Sequence, residues 1–313
     1  MKDLANLGKF QDPDVTAKGE ARAKVALTHP ETLWFNTGTL CNIACTNCYI
    51  ESSPTNDALV YLTANEVSEY LDQLEERDWN VREIAFTGGE PFMNPAFLDM
   101  LGRALVRGYD VLVLTNAMAP MMRPKVKDGL VELIQTYGSK LSLRVSLDHH
   151  AASVHDGERG VGTFEKTMAG MAWLASVGAR MAVAGRIEMA ESEAEARDGY
   201  AALFAKHGWA IDAYNPGETV LFPEMDARVE VPEITTECWS ILNKHPDAVM
   251  CASSRMVVKR KGADTPAVLA CTLLPYDAQF EMGATLEHAE RDVSLNHPHC
   301  AKFCVLGGAS CSA

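Results

Sequence analysis

Cys41, Cys45 and Cys48 stand in the spacing C-x3-C-x2-C directly after a short apolar run. Thiolates are soft metal ligands, and three on one short loop can hold three corners of an iron–sulfur cube, leaving the fourth iron open to an external ligand. Zinc would need a fourth protein ligand for a structural site, or a water for a catalytic one. On spacing alone both readings stay open. The other six of the nine cysteines, Cys238, Cys251, Cys271, Cys300, Cys304 and Cys311, all fall late in the chain. An odd total without a secretory presequence argues against a disulfide framework and for thiols kept reduced in a cytosol. Metal or cluster ligation is the natural use of such clustered thiols.

The elements that must carry these thiols are legible as a rhythm of short β-branched runs and longer amphipathic ones. Strands are expected at Leu33–Asn36, Glu83–Thr87, Asp110–Thr115, Leu141–Leu147, Arg180–Ile187 and Thr219–Phe222. Helices are expected at Asn65–Arg77, about Pro95–Val106, near Pro124–Tyr137, Phe164–Ser176 and roughly Ser192–His207, the first behind the capping-box pair Thr63 and Glu66. Parallel neighbours need helical crossovers, so the chain is read as α/β, with a parallel sheet and helices outside it. Six units are too few for a closed eight-unit barrel, which implies an open, partial (β/α)6 barrel of the TIM type, its ligands at the carboxyl ends of the strands.

The 313 residues allow one large domain or two. An extension over residues 1–30, a barrel over 31–222 and a small α+β domain over 223–313 are expected. In the last, Arg255–Lys259 and Ala267–Cys271 read as a hairpin that brings Cys251 and Cys271 to one end. With 28 basic and 42 acidic residues the net charge is −14, which disfavours nucleic acid as a partner. No run of 18 apolar residues suggests a membrane span.

Beyond the cysteines, the residues resemble a family. Cys41-Asn42-Ile43-Ala44-Cys45-Thr46-Asn47-Cys48-Tyr49 resembles the cluster loop of the radical S-adenosylmethionine (radical SAM) enzymes, and Phe86-Thr87-Gly88-Gly89-Glu90-Pro91 resembles their second-strand motif. The resemblance implies a 4Fe-4S cluster on Cys41, Cys45 and Cys48, with S-adenosylmethionine chelating its open iron. Gly88 and Gly89 would admit a close backbone approach, and Glu90 would accept a hydrogen bond from the cofactor's ammonium. It extends to Leu114-Thr115-Asn116 and Val145-Ser146-Leu147-Asp148, implying cofactor contacts at Asn116, Ser146 and Asp148. His155-Asp156-Gly157-Glu158-Arg159-Gly160 carries a carboxylate-binding role to Arg159, and Ala184-Gly185-Arg186-Ile187 carries an adenine contact to Ile187. The family commonly has an aromatic residue before the third cysteine; here it is Asn47, with Tyr49 as a partial substitute.

The late cysteines resemble the auxiliary-cluster extensions called twitch and SPASM. That resemblance implies a second 4Fe-4S cluster, with Cys251, Cys271, Cys304 and Cys311 as the preferred ligands and Cys300 as the rival. Cys238 is left as a buried thiol, an open-site ligand or part of substrate chemistry. His149, His150, His297 and His299 are read as loop histidines and not ligands, and Asp277, beside Tyr276, as a candidate acid/base. The implied activity is that of a cytosolic oxidoreductase in which S-adenosylmethionine is cleaved reductively to a 5′-deoxyadenosyl radical that abstracts hydrogen from substrate. The electron would come from a flavodoxin- or ferredoxin-like donor. With no appended peptide-binding domain evident, a small organic substrate is expected. The alternatives are peptide modification, a methyl- or sulfur-transfer outcome and, from another class, a non-catalytic zinc or iron–sulfur module.

Overall fold

A computed structural model describes residues 8–77, 79–187, 191–223 and 230–307. Its strands in chain order are β1 (Lys24–Val25), β2 (Thr32–Asn36), β3 (Glu83–Thr87), β4 (Asp110–Thr115), β5 (Leu141–Ser146), β6 (Arg180–Arg186), β7 (Thr219–Phe222), β8 (Ser254–Val258), β9 (Ala267–Leu269), β10 (Glu281–Gly283) and β11 (Val293–Ser294). The helices are α1 (Ala64–Glu76), α2 (Phe97–Val106), α3 (Pro124–Tyr137), α4 (Ala152–Arg159), α5 (Thr163–Ser176), α6 (Glu193–His207) and the short α7 (Cys238–Ile241).

Six strands, β2 to β7, lie side by side in chain order and parallel, each pair joined by a crossover. Most of their residues are buried because both faces are covered, as a parallel sheet requires. The sheet is open, not a closed barrel, in agreement with the expected partial barrel. Helix α1 begins at the predicted capping box, with Thr63 and Glu66 each satisfying the other's backbone amide. A string of aromatic rings from β2, β3 and the segment leading into α2 packs behind the first two strand ends. Phe35 stacks on Phe86 at 5.6 Å, and Phe97 meets Phe86 and Phe92 edge-on at 5.4 and 5.0 Å.

The predicted C-terminal hairpin forms as β8 and β9, but it does not stand apart from the barrel. β8 pairs parallel with β2, and β9 and β10 follow antiparallel, so one nine-stranded sheet runs from β10 to β7. The boundary placed near residue 223 therefore divides two stretches of chain that share a sheet. The N-terminal stretch is likewise more tightly held than a loose surface extension would be. β1 pairs with β11, Ala23 and Val25 are fully buried, and Arg22 makes a buried ion pair with Glu233. Helix α4 was not anticipated. The last described segment, Cys300–Leu306, is π-helical, a form that recurs at functional sites.

Candidate active site

The loop after β2 carries Cys41, Cys45 and Cys48, and the turn after β3 fixes its base. A Cβ on Gly89 would lie 2.3 Å from the Leu40 carbonyl oxygen, and one on Gly88, whose φ is +145°, 2.6 Å from that of Gly38. Only glycine lets these two backbones meet, and their contact is sealed where the Gly89 and Glu90 amides donate to Gly38 and Leu40 at 2.8 and 3.2 Å. The glycines thus serve the cysteine loop as well as the cavity they line.

One cavity lies at the carboxyl ends of β2 to β7, where ligands of such sheets sit. Its wall includes all three cysteines and Tyr49, then Gly88, Gly89, Asn116, Ser146, Asp148 and Arg159 from successive strand ends and α4. Residues predicted from separate motifs, more than a hundred positions apart, are thereby brought to one site. Asn116 donates through Nδ2 to Asn42 Oδ1 at 2.9 Å, tying the end of β4 to the cysteine loop. Arg159 grips Asp148 through two hydrogen bonds of 2.7 and 2.9 Å. Burial alone would raise Asp148, but the guanidinium of Arg159, and then that of Arg186, holds it below the usual carboxylate range.

Glu90 occupies a different place from the one expected. It is 1% exposed and does not line the cavity; its carboxylate accepts from the amides of Phe92 (3.3 Å) and Asn116 (2.8 Å) and from the Thr115 hydroxyl (2.9 Å). Burial pushes it up to about 7, against the pull of those three donors. In this structure it is an internal brace for Thr115 and Asn116. Ile187 is also outside the cavity wall, its amide donating to the Phe222 carbonyl at 3.1 Å. Asp277 is a correction of a simpler kind. It caps a short 3-10 turn, accepting from the Gln279 amide and side chain at 3.2 and 2.6 Å, away from the cavity, and so is not an acid/base there.

Burial raises the Cys41 thiol to about 12 against the Ile43 amide, and raises Cys45 against Arg159 and Arg186, so a metal must displace protons to bind. Among the described residues, the His/Cys/Asp/Glu set whose ligand atoms converge within 4.8 Å is His149, His150 and Glu191, not the three cysteines. A tetrahedral zinc draws thiolates to within roughly 3.8 Å of one another, whereas a cube holds them apart on separate corners. Three thiols around one cavity, with an amide, a hydroxyl and charged groups on its far wall, fit the cluster and its S-adenosylmethionine. The histidine set is a hydrogen-bonded latch. His149 Nδ1 accepts the Ala151 amide at 2.9 Å, so its Nε2 carries the proton and donates to Glu191 at 3.0 Å, with no lone pair left for an ion.

In the second cysteine group, Cys251 and Cys300 are buried, and Cys300 feels the charges of Cys271 and Cys251. The rival ligand, Cys300, thus joins Cys251 and Cys271. Cys304 follows within the same π-helical segment, and Cys311 lies outside the described residues. Burial raises Cys251 to about 11, against the Arg255 guanidinium. Cys238 accepts the Thr235 amide at 3.3 Å in the turn before α7, as an ordinary structural thiol would. None of the described cysteines forms a disulfide. Leu273 and Phe303, close in sequence to Cys271 and Cys304, line the first cavity. The cavity's apolar wall, in which Phe303 meets Phe222 at 5.5 Å, carried no motif in the sequence.

Comparison with known proteins gives this geometry a family. The profile of the Radical SAM superfamily matches residues 35–187, the stretch from β2 to the end of β6 that builds the cavity. The chain carries a radical SAM domain. Its relatives include the antilisterial bacteriocin subtilosin biosynthesis protein AlbA of Bacillus subtilis, 32% identical over 194 residues, which are 60% of this chain and 41% of AlbA. Mycofactocin maturase MftC of Mycobacterium tuberculosis is 27% identical over 138 residues, 44% of this chain and 32% of MftC. The match spans less than half of either relative. Among solved structures, Streptococcus suis SuiB bound to S-adenosylmethionine superposes with a TM-score of 0.59 at 12% identity, covering 82% of this chain and 64% of that one. anSMEcpe with bound AdoMet gives 0.58 at 14%, covering 83% and 77%. These two share the fold of this chain. The cofactors the family implies are a four-iron cluster and S-adenosylmethionine. No described helix is long and apolar enough to cross a membrane.

Proposed function

We propose that this chain is a radical SAM enzyme that modifies a peptide. Cys41, Cys45 and Cys48 hold the cluster, and Asn116, Ser146, Asp148 and Arg159 orient the S-adenosylmethionine. The observation that carries the reading is the single cavity on which all seven converge. When bound, the cluster and S-adenosylmethionine supply a reductively formed 5′-deoxyadenosyl radical that removes hydrogen from substrate. The chain's own part is to position and to exclude. Arg159, kept charged by Asp148, offers its guanidinium to the cofactor's carboxylate, and the strand-end amide and hydroxyl of Asn116 and Ser146 meet its polar groups. Phe222, Leu273 and Phe303 keep water from the reacting carbon.

A peptide is favoured over the small metabolite expected from sequence. The relatives bear the names of bacteriocin biosynthesis and maturase proteins, and a SuiB structure contains its precursor peptide. Cys251, Cys271 and Cys300, with Cys304 or Cys311, would hold a second cluster behind the Leu273–Phe303 wall. Bound there, such a cluster would supply a one-electron acceptor. A flavodoxin- or ferredoxin-like donor in a reducing cytosol would supply the first electron.

Oxygen-free reconstitution tests the reading. About eight irons per chain are expected if both clusters form, with 5′-deoxyadenosine accumulating on addition of reductant and S-adenosylmethionine. Changing Cys41, Cys45 and Cys48 together to Ala should abolish that product and leave about four irons. Product retained by the triple variant, or zinc in place of iron, would overturn the assignment. Deuterium passing from a labelled precursor peptide into 5′-deoxyadenosine would identify the substrate class; deuterium arriving only from a small metabolite would reverse it.

A further inference from the structure

The tip of the three-cysteine loop is held from two sides. On one side lies α4, where Glu158 accepts the Thr46 amide on its carbonyl at 2.9 Å and the Asn47 side-chain amide on its carboxylate at 2.6 Å. On the other is Arg186 at the end of β6, with a side chain 15% exposed. Its Nη2 donates to the Asn47 carbonyl at 2.9 Å, and its Nε lies 3.5 Å from Asp148 Oδ1. That carbonyl is therefore held by a guanidinium from the far side of the sheet end. Because Asp148 is also gripped by Arg159, two guanidinium groups flank one carboxylate, and both line the cavity that Cys45 lines.

We infer that Arg186 positions the three-cysteine loop, its forked guanidinium pinning the Asn47 carbonyl to Asp148 and its charge standing beside Cys45 to favour the more negative, reduced cluster. The inference rests on reading that loop as the cluster loop, and it assigns a role in this chain that neither the loop's spacing nor the strand pattern reveals. A planar fork presents two donors at a fixed spacing where an ammonium is a compact point charge, so the geometric part of the role is specific to arginine while the electrostatic part is not. Arg186→Lys and Arg186→Met separate the two.

In the metal-free full-length protein, hydrogen exchange at the Thr46 and Cys48 amides should quicken about tenfold in both variants, as one charge-assisted hydrogen bond is lost, while β3 amides stay unchanged. In the reconstituted protein, the midpoint potential is read on the cluster whose paramagnetic signal shifts when S-adenosylmethionine is added. It should fall in Arg186→Met, where a positive charge is gone, and return towards wild type in Arg186→Lys. Wild-type exchange in Arg186→Lys overturns the fork, and an unchanged potential in a fully iron-loaded Arg186→Met overturns the charge. If Arg186→Met does not fold, Arg186→Lys still decides the fork by exchange, and its potential decides the charge, since a fall there despite the retained cation is contrary to it. A wild-type protein with no signal responsive to S-adenosylmethionine sinks the proposed function instead, and the exchange arm still stands.

Discussion

Glu90 illustrates how a side chain read as a ligand acts first on its own protein. With three donors and almost no exposure, it holds Thr115 and Asn116 where the cavity needs them. Its folded-state value near 7 stands above the ordinary glutamate value of 4.5, so between those limits the native chain binds the proton that the unfolded chain releases. The contribution is fully present below about pH 4.5 and is lost as the pH rises through about 7, on the order of 3 kcal/mol in all. Denaturant titration of metal-free wild type and Glu90→Gln across that window should give stabilities that diverge, the wild type falling more steeply with pH. Parallel curves would refute the buried, proton-binding carboxyl.

At the scale of elements, α5 supports the site from behind. A Cβ on Gly170 would come within 1.8 Å of the Ala117 carbonyl oxygen, and one turn earlier Thr167 donates to the Asn116 carbonyl at 3.1 Å. The helix therefore seats directly on the turn that presents Asn116. Gly170→Ala must push the two apart, at a cost of about 1–3 kcal/mol or more, and should weaken S-adenosylmethionine binding along with the melting temperature. Gly102, in the middle of α2, is the matched control. Nothing lies within 4 Å of its added Cβ, so Gly102→Ala should stabilise by about 0.5–1 kcal/mol and leave binding alone. Calorimetry that found both glycines equally tolerant would remove α5 from its role as a support.

Across the whole molecule the two ends of the chain are joined by one buried cluster. Arg22, with no exposed side-chain surface, donates to the carbonyls of Asp12, Val15 and Leu295 and pairs with Glu233 at 2.5 Å, while Glu233 also accepts the Phe10 and Ala17 amides. Burial would lift Glu233, but these donors hold it below the ordinary glutamate value, so its stabilisation is present above that value and lost as the pH falls through the lowered one. Removing only the arginine leaves a buried carboxylate without its cation. Arg22→Met should cost about 3–5 kcal/mol at neutral pH, and Arg22→Met with Glu233→Gln distinctly less. A loss below about 1 kcal/mol for the single variant would mean the N-terminal segment is not locked to the body of the protein.

What the sequence by itself determined is what short-range chemistry determines. The alternation of β-branched and amphipathic runs located the six strands β2 to β7, because a buried strand and a half-buried helix impose different periods on their own residues. Thr63 and Glu66 marked the start of α1 because a capping box closes within four residues. The cysteine spacing and the glycine-glycine-glutamate turn were legible for the same reason, each being a local solution to a local problem. The tertiary structure decided the pairings across long stretches of chain. That β8 lies against β2, that Arg22 meets Glu233 at 211 residues' separation and that Arg186 reaches the Asn47 carbonyl at 139 leave no periodic trace, since a single donor and acceptor can be satisfied in many ways until packing selects one. Glu90 and Asp277 stand outside the cavity lining on that account. Both types can ligate or catalyse, and only burial and the donors around them decided that one braces the cavity wall and the other caps a turn.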